Sequence, residues 1–262
     1  MSNKKENQKL NVLFLGATGR IGIHFINDYF THKYDKDYDL ILGLRDPTKL
    51  KDERYEIKRA DVSDIESLKE AMKGIDVVLN LAGNASPQAE FNDLIEPNII
   101  GTYNVLEAAR LSGVKRVIMA SSVHAVKGYH ESELVKEFDS PKPENFYGAT
   151  KAFVEAMCHV YSKKFNLSCI AIRIGAYISD NMRETVCLTR DNYDYVISQR
   201  DMAQLFHKTI IAPLTLKYAI LHGSSDNAKK KLDLKCTKKL VNYAPEDDSH
   251  KLKEECLKKN GK

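Results

Sequence analysis

The chain has no tryptophan, only five cysteines in 262 residues, and no apolar run long enough to cross a bilayer. A spanning helix needs about 18 or more consecutive apolar residues, so no membrane segment is expected. The opening MSNKKENQKL is polar and lacks the apolar stretch of a secretory signal. Cys158, Cys169, Cys187, Cys236 and Cys256 are odd in number and scattered, with no C-x-x-C pair. That spacing argues against a disulfide framework, a zinc site and dithiol redox chemistry. A metal-free protein of the reducing cytoplasm is the simplest expectation. Charge of one sign is also scarce: 40 basic and 36 acidic residues leave a net +4. Part of that excess lies in residues 1–10 and 249–262, which read as solvated polar tails and not as a nucleic-acid patch. No internal repeat and no low-complexity linker divides the chain.

What is present is an alternation. Short apolar runs, NVLFLG (11–16), YDLILGL (38–44), YEIKRAD (55–61), DVVLNLAG (76–83), KRVIMASS (115–122) and LSCIAIRIG (167–175), are separated by longer amphipathic segments. Helices are expected over 21–30, 64–74, 94–113 and from about 144 onward. Strands without polar alternation are buried on both faces, and helix-linked strands of that kind build a parallel sheet. The rhythm predicts a doubly wound α/β fold of the Rossmann type over 11–175, with residues 176–248 as a small substrate-side portion packed on that core.

Directly after the first strand comes GATGRIG, with Gly16, Gly19 and Gly22 spaced G-x-x-G-x-x-G. Glycines there allow a tight turn, close approach of the backbone to a pyrophosphate, and close helix–strand packing. The backbone of Arg20 and Ile21 at the following helix start would present N–H donors to phosphates. Other strand ends should face the same crevice. Asp46, 24 residues beyond Gly22, is placed to accept from a ribose 2′-hydroxyl, which favours NAD. Its neighbour Arg45 would instead pair with a 2′-phosphate and favour NADP. Asp61, with Val62 beside it, is placed to accept from an adenine amino group. Leu81, Ala82 and Gly83 offer small residues where the backbone passes the cofactor, and Ser121 and Ser122 end the fifth strand.

The stretch ENFYGATKAFVEAM then sets Tyr147 and Lys151 four residues apart, on one face of a helix. Spacing alone also fits a solvated edge beside packing residues Phe146, Phe153 and Met157. The helix starts after the fifth strand, however, so the pair reaches the crevice. A free phenol has a pKa of about 10, and an ammonium nearby favours phenolate.

GATGRIG, LNLAG, NIIGTYNVLEAAR, ASSVHAV and YGATK together resemble the extended short-chain dehydrogenase/reductases of the NAD-dependent epimerase/dehydratase superfamily. RIGAY, ISQRDMAQLF and the segment from YAILHGSSDN onward are similar to uronate dehydrogenase-like sugar dehydrogenases. The resemblance implies hydride transfer to NAD, with NADP as the alternative, from a small sugar or sugar-acid substrate. Within it Tyr147 is the acid/base, Lys151 its charged partner and Ser122 the holder of the substrate hydroxyl. Asn98 is implied on the cofactor side, positioning backbone or a water. Ser86, His124 and Arg183 are implied contacts of the substrate, Arg183 for a carboxylate. Val123 and Ala176 stand where uronate dehydrogenases carry asparagine and serine, and KKKLD stands where relatives have tryptophans. A homo-oligomer, an epimerase or dehydratase, and a non-catalytic dinucleotide sensor are the remaining alternatives.

Overall fold

A computed structural model describes residues 9–182 and 193–259. Its main sheet has seven parallel strands: β1 (Leu10–Leu15), β2 (Tyr38–Leu44), β3 (Ile57–Arg59), β4 (Val77–Asn80), β5 (Arg116–Ser122), β6 (Ser168–Ile174) and β9 (Tyr218–Gly223). They lie in the order β3-β2-β1-β4-β5-β6-β9. A second, two-stranded parallel sheet pairs β7 (Ala176–Ile178) with β8 (Val196–Ser198). The helices are α1 (Arg20–Thr31), α2 (Ile65–Ala71), α3 (Phe91–Leu94), α4 (Gly101–Leu111), α5 (Phe146–Phe165), α6 (Gln199–Ile211), α7 (Lys235–Val241) and α8 (Ser249–Lys259). This is the doubly wound Rossmann arrangement, and the chain reverses direction across the sheet between β1 and β4, where such folds open a crevice.

Alternation along β1 shows why the sheet must be covered on both faces. Val12 and Phe14 point into one apolar cluster, Leu13 and Leu15 into the other, and all four are at most 1% exposed. On the first face Phe25 of α1 sits between Phe14 and Phe206 of α6, in edge-to-face contacts of 5.5 and 5.4 Å. That contact ties α6, from the C-terminal third, to the first helix. At the end of α6 the fully buried Arg116 guanidinium donates to the carbonyls of Thr209, Ala212 and Pro213. A cation there satisfies carbonyls that the helix end leaves over. Burial pushes its pKa down to about 10.

Four features depart from the sequence reading. The helix expected over 94–113 is interrupted by a π-helical turn, Ile95–Ile100, that contains Pro97. Proline has no N–H for the regular ladder, and the wider turn delivers Asn98 into the interior. The strand expected over 55–61 is only three residues long. The sheet does not stop at β6, because β9 from the C-terminal portion adds a seventh strand in register with it. Residues 249–259 are not a solvated tail. They form α8, anchored by a buried Ser249 whose hydroxyl donates to Tyr193 O and by His250 bonded to Asp194.

Beneath the carboxyl ends of β5 and β6 lies an almost fully buried ion pair. Arg173 Nε and Nη2 donate to the two oxygens of Glu155 at 2.8 and 2.9 Å, and Ser121 Oγ donates to the same carboxylate at 2.6 Å. Removing one partner leaves the other charge buried and alone. Glu155→Leu is therefore expected to destabilise by about 3–5 kcal/mol, measured by urea unfolding. The double variant Glu155→Leu, Arg173→Met should lose clearly less. Equal losses would mean that the pair itself is not the origin of the effect.

Candidate active site

The glycine turn has the geometry that a phosphate cradle requires. Gly16 adopts φ +88°, a left-handed conformation that side chains rarely take, and a Cβ there would lie 2.8 Å from Leu81 C and Ala82 N. A Cβ on Gly22 would lie 2.3 Å from Gly16 O. Helix α1 has no side-chain cap and no acidic residue in its first turn. Ile23 is the first residue of that turn whose N–H bonds back, to Gly19 O at 2.9 Å. The N–H groups of Arg20, Ile21 and Gly22 thus have no protein acceptor among the described residues, and the dipole favours an anion there. These residues fit the pyrophosphate of a dinucleotide.

Asp46 follows the end of β2. Its Oδ1 accepts from Thr48 N at 3.0 Å and Thr48 Oγ1 at 2.7 Å, which holds the carboxylate ionised and its pKa low. The second oxygen is left for a ligand. Arg45 beside it is exposed. Asp61, past β3, is held in the same way by Ser63 N and Oγ through one oxygen. Val62 packs against the position of Gly101, and its carbonyl accepts from Asn104.

The ends of β4 and β5 are linked by a continuous chain of contacts. Gly16 rests on the Leu81–Ala82 backbone, and Gly83 has φ +143°. A Cβ at Gly83 would meet Asn98 Oδ1 at 2.9 Å, so the residue there is small because of Asn98. Asn98 itself is 3% exposed: Oδ1 accepts from Asn84 N, and Nδ2 donates to Asn84 O and to Thr150 Oγ1. Its amide is satisfied within the protein. As expected of it, Asn98 positions backbone: it holds the loop after β4 and ties that loop to α5, one residue from Lys151.

Tyr147 and Lys151 are both buried, at 7% and 8% exposure. The Ser122 hydroxyl lies close enough to the Tyr147 phenol to act against the rise in its pKa. Lys151 Nζ lies 5.5 Å from the centre of the Tyr147 ring and donates to Ala120 O at 2.9 Å. Sequence reasoning expected the ammonium to lower the phenol's pKa. In the protein alone, burial outweighs every other influence: it pushes Tyr147 above its usual range and Lys151 down to about 8. The His124 and Tyr147 rings meet in a T-shaped contact, centres 5.5 Å apart, and the His124 backbone N–H donates to Ser122 Oγ at 3.2 Å.

Four expected residues remain: Ser86, Val123, Ala176 and Arg183. Ser86 is exposed, and its bonds are local, to Asn84 and Gln88. Val123 is 5% exposed in an apolar cluster with Val126, Val135 and Leu232; it packs β5 onto the C-terminal portion and offers no polar contact. Ala176 is partly buried at the start of β7, bonded through its N–H to Tyr195 O. Arg183 lies outside the described residues. Three residues were not singled out from sequence. Asn145 caps α5 and touches His124, and Thr150 holds Asn98. Lys231, from KKKLD, donates to the carbonyls of Tyr129 and His130. An asparagine just before a helix is a legible cap signal; the other two contacts are long-range and left no local mark.

Fold and site together define a dinucleotide-binding Rossmann protein with a serine, a tyrosine and a lysine grouped at the crevice. Residues 12–191 match the NAD dependent epimerase/dehydratase family, and the chain belongs to that family. Uronate dehydrogenase of Pseudomonas syringae pv. tomato is 28% identical over 241 residues, covering 91% of this chain and 82% of that protein. L-Arabinose 1-dehydrogenase (NAD(P)(+)) of Haloferax volcanii is 32% identical over 206 residues, 72% of this chain and 81% of that one. The crystal structure of a glucuronic acid dehydrogenase from Chromohalobacter salexigens superposes with a TM-score of 0.82 at 25% identity, covering 97% of this chain and 91% of that one.

The buried lysine yields a stability prediction. Below a pH of about 8 the folded chain holds the ammonium buried at a cost. Between about 8 and the ordinary 10.5 the folded chain has lost the proton while the unfolded chain still binds it, so stability from this group rises with pH. Lys151→Met should therefore unfold at higher urea than the natural chain at neutral pH. That advantage should shrink at a pH of about 9.5; an advantage independent of pH would assign it to packing instead.

Proposed function

We propose that the protein is an NAD(P)-dependent dehydrogenase that oxidises the anomeric carbon of a sugar acid, or of a sugar, to the lactone. The observation that carries this reading is the grouping of buried Ser122, Tyr147 and Lys151, with the Lys151 ammonium 5.5 Å from the centre of the Tyr147 ring, beside a glycine turn that fits a dinucleotide. Bound on that turn, NAD supplies a hydride acceptor. The protein's part is to hold the sugar and move one proton. Ser122 hydrogen-bonds the anomeric hydroxyl and orients it toward Tyr147. Tyr147, as phenolate, takes the hydroxyl proton while the carbon-bound hydrogen leaves as hydride. Lys151 supplies the positive charge that a phenolate in so buried a place requires. His124 adds a further contact to the sugar, and Arg183 a cation for its acidic group, since a carboxylate taken out of water needs a partner. The names of the relatives, one acting on uronate and one on L-arabinose, support the substrate class. Cys158, Cys169 and Cys236 are free thiols, in keeping with a place in a reducing cytoplasm. An epimerase or dehydratase of the same family would instead retain NAD through purification.

Reduced-cofactor absorbance over a panel of uronates, neutral aldoses and sugar phosphates tests the reading. Tyr147→Phe should lower kcat by roughly 10²- to 10⁴-fold and leave NAD binding nearly intact; near-normal turnover would remove the tyrosine from the mechanism. Arg183→Ala should raise KM for a uronate far more than for the matching hexose, and equal effects would discard the carboxylate contact.

Asp46 sets the cofactor choice in this reading, because its free oxygen accepts from a ribose hydroxyl and repels a 2′-phosphate. The natural chain should have the higher kcat/KM with NAD, and Asp46→Ser should narrow the difference. A natural preference of about tenfold or more for NADP, about 1.4 kcal/mol, would make Arg45 the deciding group.

A further inference from the structure

We infer that Asn145 is a positioning residue of the site: it fixes the proton of His124 on Nε2, making that nitrogen a hydrogen-bond donor to a substrate oxygen. The inference rests on the sugar dehydrogenase reading of the same site for its consequence, but not for its geometry.

The argument starts at the first turn of α5. Gly148 N–H can only donate, and it donates to Asn145 Oδ1 at 2.7 Å. That bond decides which way the carboxamide points. Its other end, Nδ2, lies 3.1 Å from His124 Nδ1. An amide nitrogen has hydrogens and no lone pair to offer, so Nδ1 must be the acceptor and cannot itself carry a proton. A neutral imidazole then has its hydrogen on Nε2. The charged ring would set a donor against a donor at Nδ1, and burial with Lys127 nearby already pushes the pKa down to about 4. The ring is thus neutral at physiological pH and present as a single tautomer.

The second nitrogen is available. No protein group among the described residues bonds Nε2, and it is not among the buried polar atoms left without a partner, so it keeps access to solvent. The ring is held by Asn145 at Nδ1 and by the Tyr147 ring packed at a steep angle to it, and the residue's backbone N–H donates to Ser122 Oγ. Its backbone is fixed as well, because a Cβ on Gly148 would lie 2.3 Å from His124 O. A donor-only nitrogen beside Ser122 and Tyr147 recognises carboxylate, carbonyl or hydroxyl oxygen. With the other tautomer, a lone pair would face a carboxylate or carbonyl oxygen and repel it, and only a hydroxyl could still bond, by donating.

The test reads the tautomer directly, by ¹⁵N and ¹³C NMR of the histidines in the free protein, with His124→Gln to assign the signal. The natural chain should show the Nε2–H form. Asn145→Asp keeps the cap on Gly148, but its second oxygen can only accept. The proton should therefore move to Nδ1 at a pH of about 8, where the ring is neutral. The same variant should raise KM for the best sugar of the panel about tenfold with a smaller change in kcat. Asn145→Ser, which caps without reaching the ring, should give mixed tautomers and an intermediate KM. A proton found on Nδ1 in the natural chain, or an unchanged tautomer in Asn145→Asp, overturns the inference. A tautomer switch with KM unchanged overturns the recognition role. Because the NMR signal needs no substrate, a chain that oxidised no sugar would sink the proposed function by a different measurement.

Discussion

A side chain at position 148 would place its Cβ 2.3 Å from the carbonyl oxygen of His124, and the close approach of α5 to the end of β5 that this glycine permits governs the site. Each functional contact of α5 depends on it. Tyr147 meets Ser122, and Lys151 reaches Ala120 O. Asn145 touches His124, Thr150 holds Asn98, and Glu155 receives Ser121. About three turns of one helix, from Asn145 to Glu155, are thereby bonded to the elements beside it. The helix begins with a cap whose side chain serves both its own backbone and the neighbouring ring. A local folding signal and a piece of site geometry are then the same bond.

The interior carries more charge than a fold alone requires. Arg116 and the Arg173–Glu155 pair are compensated, the first by helix-end carbonyls and the second by each other. Lys151 is different: among the described residues its buried ammonium is bonded to one carbonyl and to no carboxylate. An uncompensated buried cation costs stability, and a chain under selection for folding alone would carry an apolar residue there. The lysine's place beside a buried phenol gives that cost a purpose, since a phenolate needs a positive charge that solvent cannot supply at that depth.

Much of this was legible in the sequence because the signals are local. Continuous apolar runs and intervening amphipathic segments predicted the parallel sheet, and the glycine triplet between the first strand and helix predicted the turn that now carries Gly16 at φ +88°. The i, i+4 spacing of Tyr147 and Lys151 put both on one helix face. Where a local signal was weak or broken, the reading failed. Pro97 sits in a π-turn that periodicity cannot distinguish from a plain helix. The edge strand β9 and the anchored helix α8 gain stability only from partners far along the chain.

The sequence by itself determined the order of elements, the cradle and the pairing of phenol with ammonium, because each follows from the conformational rules of neighbouring residues. Tertiary structure alone decided the rest. It made Asn98 a satisfied brace between the loop after β4 and α5, and Val123 a packing residue, and it set the sign of the Tyr147 and Lys151 shifts. It also placed the proton on one nitrogen of His124. These depend on burial and on bonds between residues 14 to 52 positions apart, and desolvation is a property of the whole folded surroundings and not of any residue's neighbours in sequence.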